Sequence, residues 1–294
     1  MAVMRVAGAP ISWGVCEVPG WGYQMPATQV LNEMRRLGLA ATEFGPDGYL
    51  PADPLARARL LGSHGLDAAG GFVPVVLHDP GSNPLPAIDR ALDSFGSPSA
   101  DSRQPGPVLV LGAATRLGGY DARPPLDIQG WATLLCNLDR IAARAAARGF
   151  AATLRPHVGT MIETGIEIRA VLDGAGISLC LDTGHLLIGG TDPAELARDA
   201  AGRIGHVYLK DVDAKLARQV ADGEITYTEA VRRGICRPLG DGDVDVAGAI
   251  GALTAAGYDG WYVLEQDTIL DGPRDDGGLS SAVARSLSYL RNLL

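Results

Sequence analysis

Cysteine, positive charge and long apolar runs are all scarce in this chain, and each scarcity removes a class of function. Four cysteines lie scattered at Cys16, Cys136, Cys180 and Cys236, with no C-x-x-C pair among them. That suits a reducing cytosol better than a disulfide framework. Cys136 and Cys180 fall in apolar helical and strand patterns, where buried thiols are expected. The net charge is -9 and the pI near 5.0. A protein that reads a phosphate backbone usually carries a basic face, so no nucleic acid partner is expected. No apolar run approaches the ~20 residues of a membrane helix. The N-terminus lacks a charged segment followed by a long apolar stretch and a cleavage site. A cytoplasmic protein with no membrane partner is therefore expected. A homo-oligomer remains open.

What the chain does have is a regular order of elements. Its 294 residues are 47% hydrophobic and 20% charged, a normal balance for a globular domain with a real core. Strand-like runs fall near 4–13, 41–45, 67–77, 107–112, 151–156, 178–183, 204–211 and 261–267. Helix-like runs fall near 27–37, 54–64, 84–95, 130–148, 163–174, 192–201, 245–256 and 281–293. This alternation predicts an α/β fold, a single (β/α)8 TIM barrel spanning 1–294. Trp131, Leu134, Leu135, Leu138, Ile141, Ala142 and Ala145 share one helical face. Val283, Leu287, Leu290 and Leu294 form a stripe on the last helix. Asp53-Pro54 and Asp192-Pro193-Ala194-Glu195 read as helix starts. The third unit is the weakest, because residues 79–107 are rich in Pro, Gly and Ser; its helix is expected to be short or irregular. Residues 212–244 form a long excursion after the seventh strand, with a helical segment at Ala214–Asp222 and a Gly-Asp-Gly-Asp stretch at 240–243. Loops after barrel strands lie on the active face.

Three strands end in ionisable residues. Leu181-Asp182-Thr183-Gly184-His185 follows an apolar run, and His206-Val207-Tyr208-Leu209-Lys210-Asp211 and Leu264-Glu265-Gln266-Asp267 end two others. Taken singly, an Asp after a strand is a turn former or cap, and a His in an apolar run is a core residue. On three consecutive strand ends they predict one shared site. Asp182, His206 and Glu265 suit a divalent cation such as Mn²⁺, Co²⁺ or Mg²⁺, which accepts carboxylate and imidazole ligands. His64 and His78 belong to no constellation. Gly118-Gly119 and Gly189-Gly190 lack phosphate-loop spacing, so no nucleotide cofactor is expected.

With these motifs, the chain resembles the xylose-isomerase-like sugar isomerase/epimerase barrels. Within them it is most similar to the inosose dehydratases, which act on keto-inositols. Further motifs carry the resemblance: Ala9-Pro10-Ile11-Ser12-Trp13-Gly14, Thr42-Glu43-Phe44-Gly45-Pro46-Asp47-Gly48-Tyr49-Leu50-Pro51, His157-Val158-Gly159-Thr160 with Glu163-Thr164, and Pro238-Leu239-Gly240-Asp241-Gly242. The resemblance implies metal ligands at Asp182, His206 and Glu265, and a fourth, a Glu, at the end of strand five. This chain has Arg155 there. Arg is a fixed cation with no acceptor and cannot ligate a metal. Either His157 or water completes the sphere of a bound metal, or the guanidinium occupies part of the cation site and binds substrate oxygens or pairs with Asp182 or Glu265; the inosose dehydratases resemble this chain in also lacking that Glu and having the His-x-Gly-Thr step, which favours the first.

The same departure bears on the reaction. Epimerases of this kind resemble two-base enzymes that use the glutamates of strands five and eight. A β-elimination needs a polarising cation, one base and an acid for the departing hydroxyl. The expected activity is therefore metal-assisted dehydration of a keto-inositol or related polyhydroxy ketone. His157, His185, Lys210 and Glu265 are the expected proton carriers. Trp13, Glu43, Arg155 and His185 are the expected substrate contacts, and Trp21 is either a substrate contact or a surface anchor. The rivals are a sugar isomerase or epimerase and a non-catalytic sugar-binding barrel. A phosphodiester-cleaving barrel needs a richer metal set and a basic groove than five histidines and an acidic chain supply.

Overall fold

In a computed structural model, the described residues are 4–96, 106–273 and 277–293. Eight parallel strands close into a barrel: β1 (Arg5–Gly8), β2 (Ala41–Glu43), β3 (Asp67–Val75), β4 (Val108–Ala113), β5 (Ala152–Leu154), β6 (Ser178–Asp182), β7 (Ile204–Leu209) and β8 (Trp261–Leu264). Neighbours pair in sequence order, and β8 closes on β1 through Arg5 opposite Trp261 and Gly8 opposite Leu264. The expected TIM barrel is what the chain forms.

Helices cover the barrel: α1 (Ala27–Leu37), α2 (Pro54–Ser63), α3 (Leu85–Phe95), α4 (Ile128–Ala147), α5 (Gly165–Gly174), α6 (Thr183–Ile188), α7 (Pro193–Asp199), α8 (Ala214–Ala221), α9 (Tyr227–Arg232), α10 (Val246–Ala255) and α11 (Gly278–Leu293). Their starts are chemically marked. Asp53, Asp127, Asp192, Asp213 and Asp245 each accept backbone N–H bonds from the first turn of the helix that follows. Thr164 and Glu167 form a reciprocal capping box on α5. On α4, Leu134, Leu138, Ile141 and Ala145 are buried against the barrel. Cys136 lies off that stripe and is exposed, so its expected burial is corrected. Among the described residues no helix is long and apolar enough to cross a membrane.

Three expectations about the elements change. The first strand ends at Gly8, and Pro10–Trp13 turns into a 3-10 helix closed by Gly14 at φ 80. The helix of the third unit is a regular eleven-residue α-helix rather than a short or irregular one. Its Pro/Gly/Ser-rich sequel at 97–105, and Leu294 at the end of the last stripe, lie outside the described residues. The excursion at 212–244 is folded. Asp211–Val212 pairs antiparallel with Cys236–Arg237, and α8 and α9 lie between them. The Asp211 carboxylate accepts N–H bonds from Val212, Gly240, Gly242 and Val244 at 2.8–3.0 Å, which ties the Gly-Asp-Gly-Asp stretch to the end of β7.

The barrel interior is narrow and filled by small side chains around a few bulky ones. Ala7, Ala9, Ala41, Ala69, Val108, Val110, Cys180, Tyr208, Trp261 and Val263 pack together there. Strand side chains alternate in facing, so residues two further on also face inward. Ala41 leads to Glu43, Thr153 to Arg155, Cys180 to Asp182, and Val263 to Glu265. On β7, His206 leads to Tyr208 and then to Lys210. The polar site is thus the top layer of the core itself, at the C-terminal ends of the strands.

Candidate active site

Register decides which β7 residue stands level with Asp182. Cys180 pairs with His206 and Asp182 with Tyr208. On the other side Val263 pairs with Tyr208, so Glu265 continues level with Lys210. His206 therefore lies one layer below the site, fully buried, and no described group hydrogen-bonds either ring nitrogen. Burial first, then the charge of Arg155, pushes its pKa down to about 3.

Arg155 is the hub. Its Nε and Nη2 both donate to Asp182 Oδ2, the former at 3.0 Å, and Nη2 also donates to Glu265 Oε1. The guanidinium lies over the rings of Tyr208 and Phe72, 4.0 and 5.3 Å from their centroids. Burial opposes its charge, but Glu265 and Asp182 hold it firmly protonated. Nη1 has no hydrogen-bond partner among the described residues.

Lys210 is the second cation and is fully buried. Its Nζ lies 2.7 Å from Asp267 Oδ1, 2.8 Å from Glu265 Oε1, 2.9 Å from His185 Nε2 and 4.0 Å from Asp182 Oδ2. Burial opposes its charge too, and Asp267, Glu265 and Asp182 outweigh that, so its pKa is raised. The glycine of Asp182-Thr183-Gly184-His185 makes room for its stem: a Cβ on Gly184 would stand 2.5 Å from Lys210 Cγ. Asp182 Oδ1 accepts the N–H groups of Gly184 and His185, each at 3.0 Å. Burial alone would raise the Asp182 pKa; Arg155, Lys210 and these amides hold it low.

The two site histidines are neutral. Burial, then Arg155 and Lys210, push His157 down to about 3. Its Nδ1 donates to the Val158 carbonyl at 2.7 Å, which leaves Nε2 as an acceptor. Burial, then His157 and Lys210, push His185 well below its usual value. The two rings lie 3.6 Å apart, and Tyr120 covers His157 at 4.3 Å. On the opposite wall, Glu43 accepts from the Tyr208 hydroxyl. Burial, then the nearby Glu265, push its pKa up to about 8, so at neutral pH it is a protonated acid.

A cavity of about 380 Å³ opens over this layer, lined by Glu17, Trp21, Glu43, Phe72, Tyr120, Arg155, His157, Glu265 and Asp267 among others. Of the expected substrate contacts, Glu43 and Arg155 reach it. His185 lies beneath the wall. Trp13 is corrected: it is fully buried, and its Nε1 donates to Glu33 Oε2 on α1 at 2.6 Å, so it packs the barrel exterior. Trp21 is the tryptophan on the cavity, held by a bond from Nε1 to the Thr268 carbonyl. Of the expected proton carriers, His157 and Glu265 reach the cavity, and Lys210 and His185 stand behind them.

The expected metal ligands do not all meet. The ligand atoms that do lie together, within 4.8 Å, belong to Asp182, His185 and Glu265. His185 thus stands where His206 was expected, and His157 is not in the group. By distance the three suit a divalent cation. By charge, the place is held: Arg155 is against Asp182 and Glu265, and Lys210 is against Glu265 and His185.

Sequence reasoning missed Tyr208, Asp267, Tyr227, Tyr120 and Phe72. Counting by two along β7 points to Tyr208. Tyr227, from the excursion, donates to Asp267 Oδ2, and no local signal announces a contact forty residues apart.

A family model described as "Xylose isomerase-like TIM barrel" matches residues 31–292. The rhizopine catabolism protein MocC of Rhizobium meliloti is 32% identical over 273 residues, 90% of this chain and 82% of that one. An inosose dehydratase of Geobacillus kaustophilus is 31% identical over 277 residues, 90% and 87% respectively. Among solved structures, an L-ribulose 3-epimerase superposes with a TM-score of 0.69 at 18% identity, covering 99% of this chain and 95% of that one. A D-allulose 3-epimerase from Methylomonas sp. in complex with D-allulose gives 0.67 at 18%, with 100% and 98% covered.

Proposed function

The chain belongs to the xylose isomerase-like TIM barrel family, and from that premise we propose that it is a dehydratase acting on a keto-inositol or a closely related polyhydroxy ketone. One observation carries the reading: a buried guanidinium and two carboxyl groups in different surroundings line the same cavity. Glu265 is ion-paired with Arg155 and Lys210, while Glu43 keeps its proton up to about pH 8. A carboxyl group that burial keeps protonated, beside one set against two cations, is an arrangement that can divide acid and base roles.

In this reading Arg155 Nη1 donates to the ketone oxygen and stabilises the charge that develops there. Glu265 takes the proton from the carbon beside the ketone. The C–H electrons form the new double bond, and the hydroxyl on the next carbon departs with its C–O pair. Glu43 gives that hydroxyl its proton, so it leaves as water. Proton exchange with solvent restores both carboxyl groups. His157 Nε2 accepts from a substrate hydroxyl, and Tyr208 and Phe72 hold the guanidinium plane. Inosose dehydratases being among the relatives supports the substrate class.

An epimerase would need a second base at the β5 end. That position holds Arg155, which has no acceptor. The test is to incubate purified protein with 2-keto-myo-inositol in deuterated water and follow mass and absorbance. Loss of one water with an unsaturated or diketone product is expected. Deuterium at carbon without loss of water would establish an epimerase instead. Binding without either change would establish a sugar-binding barrel.

A further inference from the structure

We infer that Arg155 and Lys210 take the place of a divalent metal ion, so that this barrel works with two resident organic cations. The inference concerns the same site as the dehydration reading, but its first test needs no substrate.

The donor atoms that would bind a metal are gathered around an ammonium. Lys210 Nζ is within 2.7–2.9 Å of Asp267, Glu265 and His185, and 4.0 Å from Asp182. It therefore stands at the middle of the Asp182–His185–Glu265 group. His185 Nε2 can accept from the ammonium or bind a metal, not both. Asp182 has no acceptor free for a metal: Oδ1 takes two backbone amides and Oδ2 takes Arg155. Glu265 Oε1 takes both cations. A divalent ion would bring two more positive charges against the two already there.

Three features of the chain build this arrangement. Arg155 supplies a fixed cation at the β5 end. Tyr208, level with Asp182, supplies a ring under the guanidinium where an imidazole would supply a ligand, and the histidine of that strand is a layer below. Gly184 leaves space for the Lys210 stem. Arg155 touches the cavity and is the electrophile. Lys210 does not line it and is a positioning residue, which holds Glu265, Asp267 and His185 in place.

The test begins with protein purified after dialysis against a chelator, without removal of any group by denaturation. Elemental analysis is expected to find no stoichiometric Mn, Co, Zn or Fe. Adding Mn²⁺, Co²⁺ or Mg²⁺ is expected to leave the melting temperature unchanged, whereas an ion that binds the folded state well below the added concentration raises it by several degrees. One ion retained per chain, or a metal-dependent rise, overturns the inference. The double variant Arg155→Glu with Lys210→Met converts the layer to a carboxylate-rich site. It is expected to gain Mn²⁺-dependent stabilisation, and the wild-type result stands whether or not this variant folds. With a turned-over ketone in hand, chelator is expected to leave kcat and KM unchanged, while Lys210→Met lowers kcat more than it raises KM and shifts the pH profile. Turnover that requires added metal overturns the inference and leaves the dehydration reading intact. A metal-free protein that removes no water overturns only the latter.

Discussion

His206 sits in the barrel interior without charge, and the pH dependence of stability should report it. The unfolded chain titrates His206 near 6.5, the folded one at about 3. Below pH 6.5 the unfolded state therefore binds a proton that the folded state refuses, so stability falls as pH drops from 6.5 towards 3. Each unit of difference is worth about 1.4 kcal/mol. Between pH 6.5 and 4.5 the residue alone costs about 3 kcal/mol. The physical cause is burial first, level with Cys180 and with the ring 5.4 Å from that of Tyr208, and then the charge of Arg155. His206→Leu keeps a similar volume and removes the titration. At pH 7.5 it should unfold within about 1 kcal/mol of wild type, since no described group bonds to the ring. At pH 4.5 it should be the more stable protein by about 3 kcal/mol. His157 and His185 contribute in the same direction, so the pH slope shrinks without vanishing. Urea titrations at the two pH values measure all four free energies. Equal pH slopes in the two proteins, or a loss of several kcal/mol in the variant at pH 7.5, would refute the assignment of a neutral, unbonded ring.

Other consequences are as specific. Turnover should decline on the alkaline side with a midpoint near pH 8, as Glu43 loses its proton; Glu43→Gln should lower kcat by roughly 10²–10⁴-fold and remove that limb from the pH–rate profile. Asp211→Asn should lower stability by about 1.5–3 kcal/mol, because four backbone amides lose a charged acceptor; hydrogen exchange in 212–244 should rise first. Gly159 has φ 72, and a Cβ there would overlap the Tyr120 carbonyl. Gly159→Ala should therefore shift Tyr120 off His157 and raise KM, while far-UV circular dichroism stays unchanged.

The barrel was legible because its signals are local. Apolar runs of strand length, acidic caps and alternating helical stripes each follow from a few neighbouring residues, and together they mark eight units in order. The strand ends bearing Asp182, Lys210 and Glu265 were legible for the same reason. Asp182 and Glu265 each end an apolar run with a group that burial would penalise unless a partner waited. The sequence also showed that Arg155 stands where an acceptor was expected, which already set a guanidinium against a metal.

Tertiary structure alone decided which of these groups meet. Pairing register put Tyr208, not His206, level with Asp182, and no reading of one strand contains its offset from the next. The helical turn that follows Asp182 brought His185, rather than His206, beside Glu265. Trp13 and Trp21 lie eight residues apart, yet one packs outside the barrel and the other faces the cavity, because Glu33 on α1 holds the first and the Thr268 carbonyl beyond β8 holds the second. Lys210 became a resident cation only once Gly184, in the first turn of α6, left room for its stem. Composition and periodicity determine that a polar layer caps the barrel; the charge balance within that layer is a sum over strands, and it exists only when the barrel closes.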